Sequence, residues 1–519
     1  MAHKCKMSLC ASRGFSFACV VVSVALAGCA QNAESLAPSS PSQPWTSGNT
    51  TGSSLLPRSD ASQGAGASGR DFSVLGNAAV AELPPPPQTQ AGKVYQLPEL
   101  IDIAARNNPV TRIAWEQARQ SALAVGIAEA TFLPLITANA VGGVQNTDTP
   151  VQALGVQRYL NTTARGVSSS VALQWLMFDF GQRSAVVDAA RQVSLAANVM
   201  FNASHQKLIF DVTRTYYQYG AARTRMEIAD QTLRNSRAIL DAAVQREKGG
   251  LGTTVEVAQA RQQVAQSELR RVVAEGQERD AYQALLAAMG VSPTLSIKVA
   301  SAGNRRLPSP VSMPMEDMIK LALVRRPDVL ASYATIKASE AGVEAAKADV
   351  LPKVFVAGGL ATGSGSFNAS GLPTIGQQTS ATGVLVGATM PLYDAGVRSA
   401  NLRAAQSRVS AAQDIFKKTQ QEAVREMVVA SNAVRSALQS YQAATRLTEA
   451  ATITYDAALD AYRNGLGTIT AATAADTGLL DARQARADAH AAALVAASNL
   501  AFVLGAMTSR DTPDQLLPR

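Results

Sequence analysis

Two textures alternate along the chain. From Leu97 to Thr131 apolar and polar positions follow a helical spacing, with Pro98 suited to a first helical turn and Pro109 marking a break and restart. Beyond Leu133-Pro134, Gly, Thr, Val, Asn and Ser dominate up to Asp148, and again from Arg165 to Phe178. In the second of these stretches Val167, Val171, Leu173, Trp175 and Met177 alternate with Ser168, Ser170, Ala172 and Gln174, a period of two that predicts a strand with one apolar and one polar face. Gln182 to Arg246 then runs 65 residues without a proline. This predicts one helix about 100 Å long at about 1.5 Å per residue. A turn, Gly250-Leu251-Gly252-Thr253, interrupts it, and a returning helix is predicted over Thr254 to Met289.

The same order occurs twice. Ile103 to Pro109 is echoed by Leu321 to Pro327, and Ala128 to Pro134 (AEATFLP) by Ala346 to Pro352 (AKADVLP), both at an offset of 218. Further on, Phe178-Asp179-Phe180-Gly181-Gln182-Arg183 matches Tyr393-Asp394-Ala395-Gly396-Val397-Arg398 at an offset of 215. Gly465-Leu466-Gly467-Thr468 repeats the turn, and Gly505 matches Gly290, at that same offset of 215. The chain from about 97 to 508 is therefore a tandem duplication with a three-residue deletion inside the repeat. In the second copy Thr382, Val384, Val386, Ala388 and Met390 alternate with Gly383, Leu385, Gly387 and Thr389, again a strand. The expected organisation is a first repeat over 93–299, a second over 300–508 and a short tail over 509–519.

The beginning of the chain is of a different kind. Lys4, Lys6 and Arg13 form a basic segment, Phe15 to Leu26 an apolar core too short to span a bilayer, and Leu26-Ala27-Gly28-Cys29 a small-residue cleavage site. This resembles a bacterial lipoprotein signal over 1–28, with Cys29 as the acylated first residue of the mature chain. The other three cysteines, Cys5, Cys10 and Cys19, lie within the signal, which leaves no disulfide or zinc framework. Residues 29–92, rich in Ser, Pro, Gly, Ala and Gln, read as a disordered or extended tether. Removing the three basic signal residues lowers the net charge from +8 to +5. With no Lys/Arg-rich run, nucleic acid is not an expected partner.

Hydrophobic content of 47% comes largely from alanine, and aromatic content is only 5%. Such side chains permit close helix packing but do not fill a wide globular core. The hairpins then pose a counting problem. Strands facing lipid must close into a barrel. Four per chain are too few, whereas three chains supply twelve.

The duplicated helix, hairpin, long helix, GLGT turn and returning helix, with FDFGQR and YDAGVR after each hairpin, resemble the TolC family of outer-membrane efflux ducts. The resemblance implies a mainly α protein with a β-barrel part. It implies a homotrimer whose twelve-stranded β-barrel lies in outer-membrane lipid and is continued by a long periplasmic α-helical barrel. It further implies a periplasmic adaptor protein docked on the helix-hairpin tips and an inner-membrane efflux pump that supplies the energy.

On that resemblance, Gly250, Leu251, Gly252 and Thr253 form one tip and Gly465, Leu466, Gly467 and Thr468 the other. The glycines are expected to permit the reversal and to leave backbone groups free for a partner, with each leucine an apolar knob. The family's periplasmic gate can pair a tyrosine before the second tip with an acid after the first, here Tyr462 and Glu256. Glu256 is equally readable as a first-turn acid favoured by the helix dipole. An arginine that the family can use beside the second tip is replaced by Gly467. The acidic ring after it is replaced by Ala471 and Ala474, which leaves Asp476 as the nearest acid.

No enzyme is expected, and no cofactor. His205 and His490 stand in helical settings without metal-ligand spacing, and there is no G-x-S-x-G or P-loop pattern. The leading function is a passive exit duct of a tripartite efflux system for small toxic compounds. A duct for type I protein secretion is the alternative within the family, and a lipid-anchored structural helical spacer the alternative from another class. The spacer would need sustained apolar heptads, which the alanine-rich pattern lacks.

Overall fold

The computed structural model describes residues 92–508 apart from 154–155, 304, 310–312 and 370–372, together with isolated positions at 41, 80–81, 87 and 89–90; side chains of 151–158 are not described. The expected signal, Cys29, nearly all of the tether and the tail 509–519 lie outside the described residues. The chain divides into two compact units, Met1–Pro85 and Pro86–Arg519. The α-helices and β-strands of the described residues all lie in the second unit.

The first repeat contains β1 (Val94–Tyr95), α1 (Leu97–Asn107), α2 (Pro109–Ala130), β2 (Leu135–Ala153), β3 (Val156–Phe178), α3 (Gln182–Lys248) and α4 (Thr254–Met289). The second contains β4 (Lys298–Val299), α5 (Met315–Arg325), α6 (Pro327–Ala348), β5 (Lys353–Ala369), β6 (Ile375–Thr389), α7 (Val397–Arg463) and α8 (Ile469–Val503). The two long helices, α3 and α7, have 67 residues each. No helix among the described residues is long and apolar enough to cross a membrane.

The breaks fall where local chemistry demands them. A capping box of Gln96 and Glu99 opens α1. Asn108 then accepts the Val110 N–H at 2.9 Å and Pro109 occupies the first turn of α2, so the chain restarts a helix rather than continuing one. In the second repeat Arg326 replaces Asn108. It caps nothing and instead pairs with Asp328 at 2.7 Å and Glu426 at 2.8 Å.

Helix α3 packs against α2 and α4 of its own repeat and against α6 and α8 of the other, while α7 packs against α6 and α8. Three apolar clusters result. One joins Leu100, Val212, Tyr216, Leu285 and Val299, and a second joins Met318, Met427, Val434 and Leu500. The third, near the tips, draws on both repeats: Ile239, Val257 and Ala260 from the first, Tyr455, Leu459, Tyr462 and Ile469 from the second.

The hairpins form one antiparallel sheet in the order β2-β3-β5-β6, the repeats meeting where β3 pairs with β5. Its strands run longer than residue texture predicts. Pairing in the first hairpin continues past Asp148 as far as Ala153 opposite Val156, and passes through Pro150. The proline lies opposite Tyr159, beyond the stretch from Thr162 onward in which β3 also pairs with β5, so it sits outside the four-stranded part of the sheet. All but one of the fifteen residues of β6 are exposed.

Each hairpin enters its long helix through a strained elbow. Phe180 has φ 53° and Gly181 φ 90°, and their counterparts Ala395 and Gly396 have φ 53° and 85°. Two successive left-handed residues turn the chain sharply, at a cost for the non-glycine member. Aspartate holds the turn. Asp179 accepts the Gly181 N–H at 3.3 Å and the Arg183 N–H at 3.0 Å, and Asp394 accepts those of Gly396 and Arg398, both at 3.0 Å. Arg183 pairs with Asp179 at 2.7 Å and donates to the Thr131 carbonyl at 2.8 Å, fastening the end of α2 to the start of α3. Arg398 makes the matching contact with the Asp349 carbonyl at 3.1 Å. The FDFGQR and YDAGVR motifs are thus the two joints between sheet and helices.

Candidate functional site: the paired helix-hairpin tips

The two GLGT turns have the same backbone. Gly250 and Gly465 take φ 75° and 79°, values that L side chains rarely adopt. The N–H groups of Leu251 and Gly252 both donate to the Arg246 carbonyl, at 2.8 and 3.0 Å, and those of Leu466 and Gly467 to the Ala461 carbonyl at the same distances. The Gly250 N–H donates to the Glu247 carbonyl and that of Gly465 to the Tyr462 carbonyl. Thr253 and Thr468 then cap the returning helices through the N–H groups of Glu256 and Ala471, at 3.3 and 3.2 Å.

One expectation changes here. The amide groups of Gly250, Leu251, Gly252 and their counterparts are not free for a partner, because each closes the preceding helix. The second glycine of each turn is packed tightly against the helix end as well. A Cβ at Gly252 would lie 3.0 Å from the Glu247 nitrogen, and one at Gly467 3.0 Å from the Tyr462 nitrogen. The leucine side chains, by contrast, are unpacked at the turn: Leu251 is 76% exposed and Leu466 87%.

Side chains beneath the turns link the two repeats. Tyr462 is fully buried, and its hydroxyl faces Glu256 Oε2 at 3.4 Å. Burial pushes the phenol pKa up, and the Glu256 carboxylate adds to the shift. The pair is brought together as expected, but 3.4 Å is well beyond the usual 2.5–3.0 Å of an O–H···O bond. The firmer link is a residue that sequence reasoning misses. Arg246 Nη1 donates to the Tyr462 carbonyl at 2.9 Å, Nη2 donates to the Leu251 carbonyl at 3.0 Å, and the guanidinium lies 5.0 Å from the Tyr462 ring centroid. Its Nη1 also lies 3.2 Å from where a Cβ on Gly465 would stand. Arg246 brings a guanidinium to the second tip from the opposite repeat. A basic residue four positions before Gly250 is the available signal.

Asp476 departs from its expected place. It has 0% relative exposure and so is no acid at a mouth. Asn235 donates to it at 3.1 Å and Ser236 at 2.9 Å, with Ser267 bonded behind Ser236 at 2.8 Å. Burial raises its pKa, while these donors and the charge of Arg270 oppose the shift. The third potential contact, Gln263, reaches Thr477 at 3.4 Å. Asp476 is thus an interior polar junction of α3, α4 and α8.

The remaining histidines have local roles. His490 Nε2 lies 2.9 Å from the Arg305 carbonyl and His205 Nδ1 3.2 Å from that of Phe201.

A family profile described as outer membrane efflux protein matches residues 100–291 and 318–506. The pyoverdine export outer membrane protein OpmQ of Pseudomonas putida is 28% identical over 434 residues, covering 80% of this chain and 87% of that protein. Protein CyaE of Bordetella pertussis is 27% identical over 406 residues, 77% of this chain and 81% of its own. Among solved structures, the cation efflux relative CusC superposes with a TM-score of 0.66 at 21% identity, over 82% of this chain and 96% of that one. The outer-membrane channel OprN gives 0.66 at 21% identity, covering 80% and 91%. These superpositions establish the fold.

Proposed function

The chain belongs to the outer membrane efflux protein family, and from this premise we propose that three copies assemble into one passive exit duct of a tripartite efflux system. It is an outer-membrane efflux protein of a family of channels rather than enzymes. The observation that carries the trimer is the sheet. Its edges, β2 and β6, have no partner strand among the described residues, and β6 is exposed almost throughout. Unpaired strand edges are intolerable in hydrocarbon, and three copies joined edge to edge close a twelve-stranded barrel. The helical part continues that barrel into the periplasm, where Leu251 and Leu466 dock an adaptor protein that recruits an inner-membrane pump.

Small solutes are the proposed cargo. Relatives named for pyoverdine export and for cation efflux support this reading. Beside the tips, Glu256, Tyr462 and Arg246 hold the duct closed at rest, and Cys29 carries the lipid. Native mass spectrometry of the purified protein is expected to give a trimer that conducts in planar bilayers. A monomer in every detergent tried rejects the duct. Metabolic labelling with a radioactive fatty acid is expected to mark the wild type and not Cys29→Ser, and label retained by the variant rules out Cys29.

A further inference from the structure

A cavity of about 190 Å³ lies away from the tips, where α3 of the first repeat meets α7, α8 and the 302–303 turn. The space is well above the roughly 10–15 Å³ that one water needs. Its lining is two-sided. Tyr217 from α3, Tyr441 from α7 and Leu494 from α8 give apolar and aromatic walls. Arg483, Arg486 and His490 of α8 give a basic one, and their spacing of three and four residues puts them on one helix face.

Neither guanidinium has an ion pair or hydrogen bond among the described residues. The nearby carboxylate, Asp488, is engaged by Arg225 at 2.6 Å. His490 is anchored by donating Nε2–H to the Arg305 carbonyl at 2.9 Å, since a carbonyl can only accept, and its ring lies against Tyr441 with centroids 5.5 Å apart. Both arginines line the cavity, Arg483 half-buried and Arg486 exposed, and two like charges on adjacent turns repel. A ligand carboxylate resolves this, because guanidinium groups bind carboxylates through paired N–H donors. The tyrosine walls suit a ring attached to it.

We infer that this cavity is a binding site for a small ring-bearing carboxylate, held by Arg483 and Arg486 and flanked by Tyr217 and Tyr441. Because the walls come from both repeats, the bound anion fastens α3 to α7 and α8. The inference is independent of the exit-duct reading, since its test measures binding alone.

The test is saturation-transfer NMR on the full-length protein in detergent, titrated with sodium benzoate. Saturable binding is expected. R483Q/R486Q is expected to weaken it at least tenfold, and benzyl alcohol, the same ring without the charge, to bind the wild type at least tenfold less tightly. Ala491→Leu, which fills the cavity and leaves both arginines in place, is expected to abolish the signal. This variant decides the matter if the double variant does not fold. No saturable benzoate signal in the wild type, undiminished binding in R483Q/R486Q or Ala491→Leu, or equal binding of benzyl alcohol overturns the inference.

Discussion

The two tips share one backbone and differ in their side chains. Both turns use a left-handed first glycine, a second glycine pressed against the helix end, and a threonine cap. Below them the symmetry ends: the first repeat supplies Arg246 and Glu256, the second Tyr462. Duplication alone would place like beside like. Divergence has instead made the repeats complementary, so that a donor from one meets an acceptor from the other. The turn is therefore a folding device, and the link between repeats is carried by residues that the duplication does not repeat.

The strongest challenge to this comparison is to remove what the tips still share. Leu251→Ser with Leu466→Ser is expected to abolish efflux in susceptibility assays while leaving trimers in the outer membrane. Burial of each leucine contributes about 1.5–3 kcal/mol, and a trimer presents each tip three times. Normal export with intact crosslinking to the adaptor would refute docking through the leucines. Comparing the single variants then shows whether the two tips contribute equally.

The asymmetric part is tested next. Arg246→Gln removes two charge-assisted bonds to carbonyls, each worth about 1.5–3 kcal/mol. It is expected to raise the conductance of trimers in planar bilayers more than Tyr462→Phe with Glu256→Gln, whose bond is long. The reverse order would return the main closing contact to the phenol and carboxylate.

A smaller effect tests the interior junction. The folded pKa of Asp476 lies above the 3.8 of an ordinary aspartate. The fold therefore prefers the protonated form, and the resulting stabilisation is complete below about pH 3.8 and lost as pH rises through the raised value. Asp476→Asn is expected to melt higher than the wild type at pH 8, with the gap narrowing toward pH 4. A constant gap would mean that Asp476 titrates normally.

The smallest effect concerns the elbows. Ala395→Gly relieves a left-handed residue at φ 53° and is expected to stabilise by up to about 1 kcal/mol in thermal melts. Phe180→Gly gains less, because it also removes the edge contact with Phe178 at 4.7 Å. An equal gain at both would mean that this ring contact contributes nothing.

Much of this architecture is legible in the sequence. The returning helix over Thr254–Met289 and the restart at Pro109 both follow from capping and proline chemistry, which act locally. The position of Asp476 does not. Helix α8 is alanine-rich on every side, so apolar periodicity cannot tell its inner face from its outer one. Arg246 is illegible for another reason. Its carbonyl partner on Tyr462 is 216 residues away, and pairing across that separation leaves no periodic trace. The full length of the strands is hidden because ladder pairing, rather than residue preference, carries the hairpin past Asp148.

The equal lengths of the long helices have a consequence for how the chain can vary. The offset between repeats is 218 before the hairpins and 215 after them, so the lost residues fall within the hairpins. Placed in α7 instead, the same three-residue loss would draw its tip back by about 4.5 Å and turn it by about 300°. Tyr462 would then leave the reach of Arg246. The length difference between the repeats thus falls in the sheet and its loops, while the long helices act as two rulers cut to one length and joined by the contact at their ends.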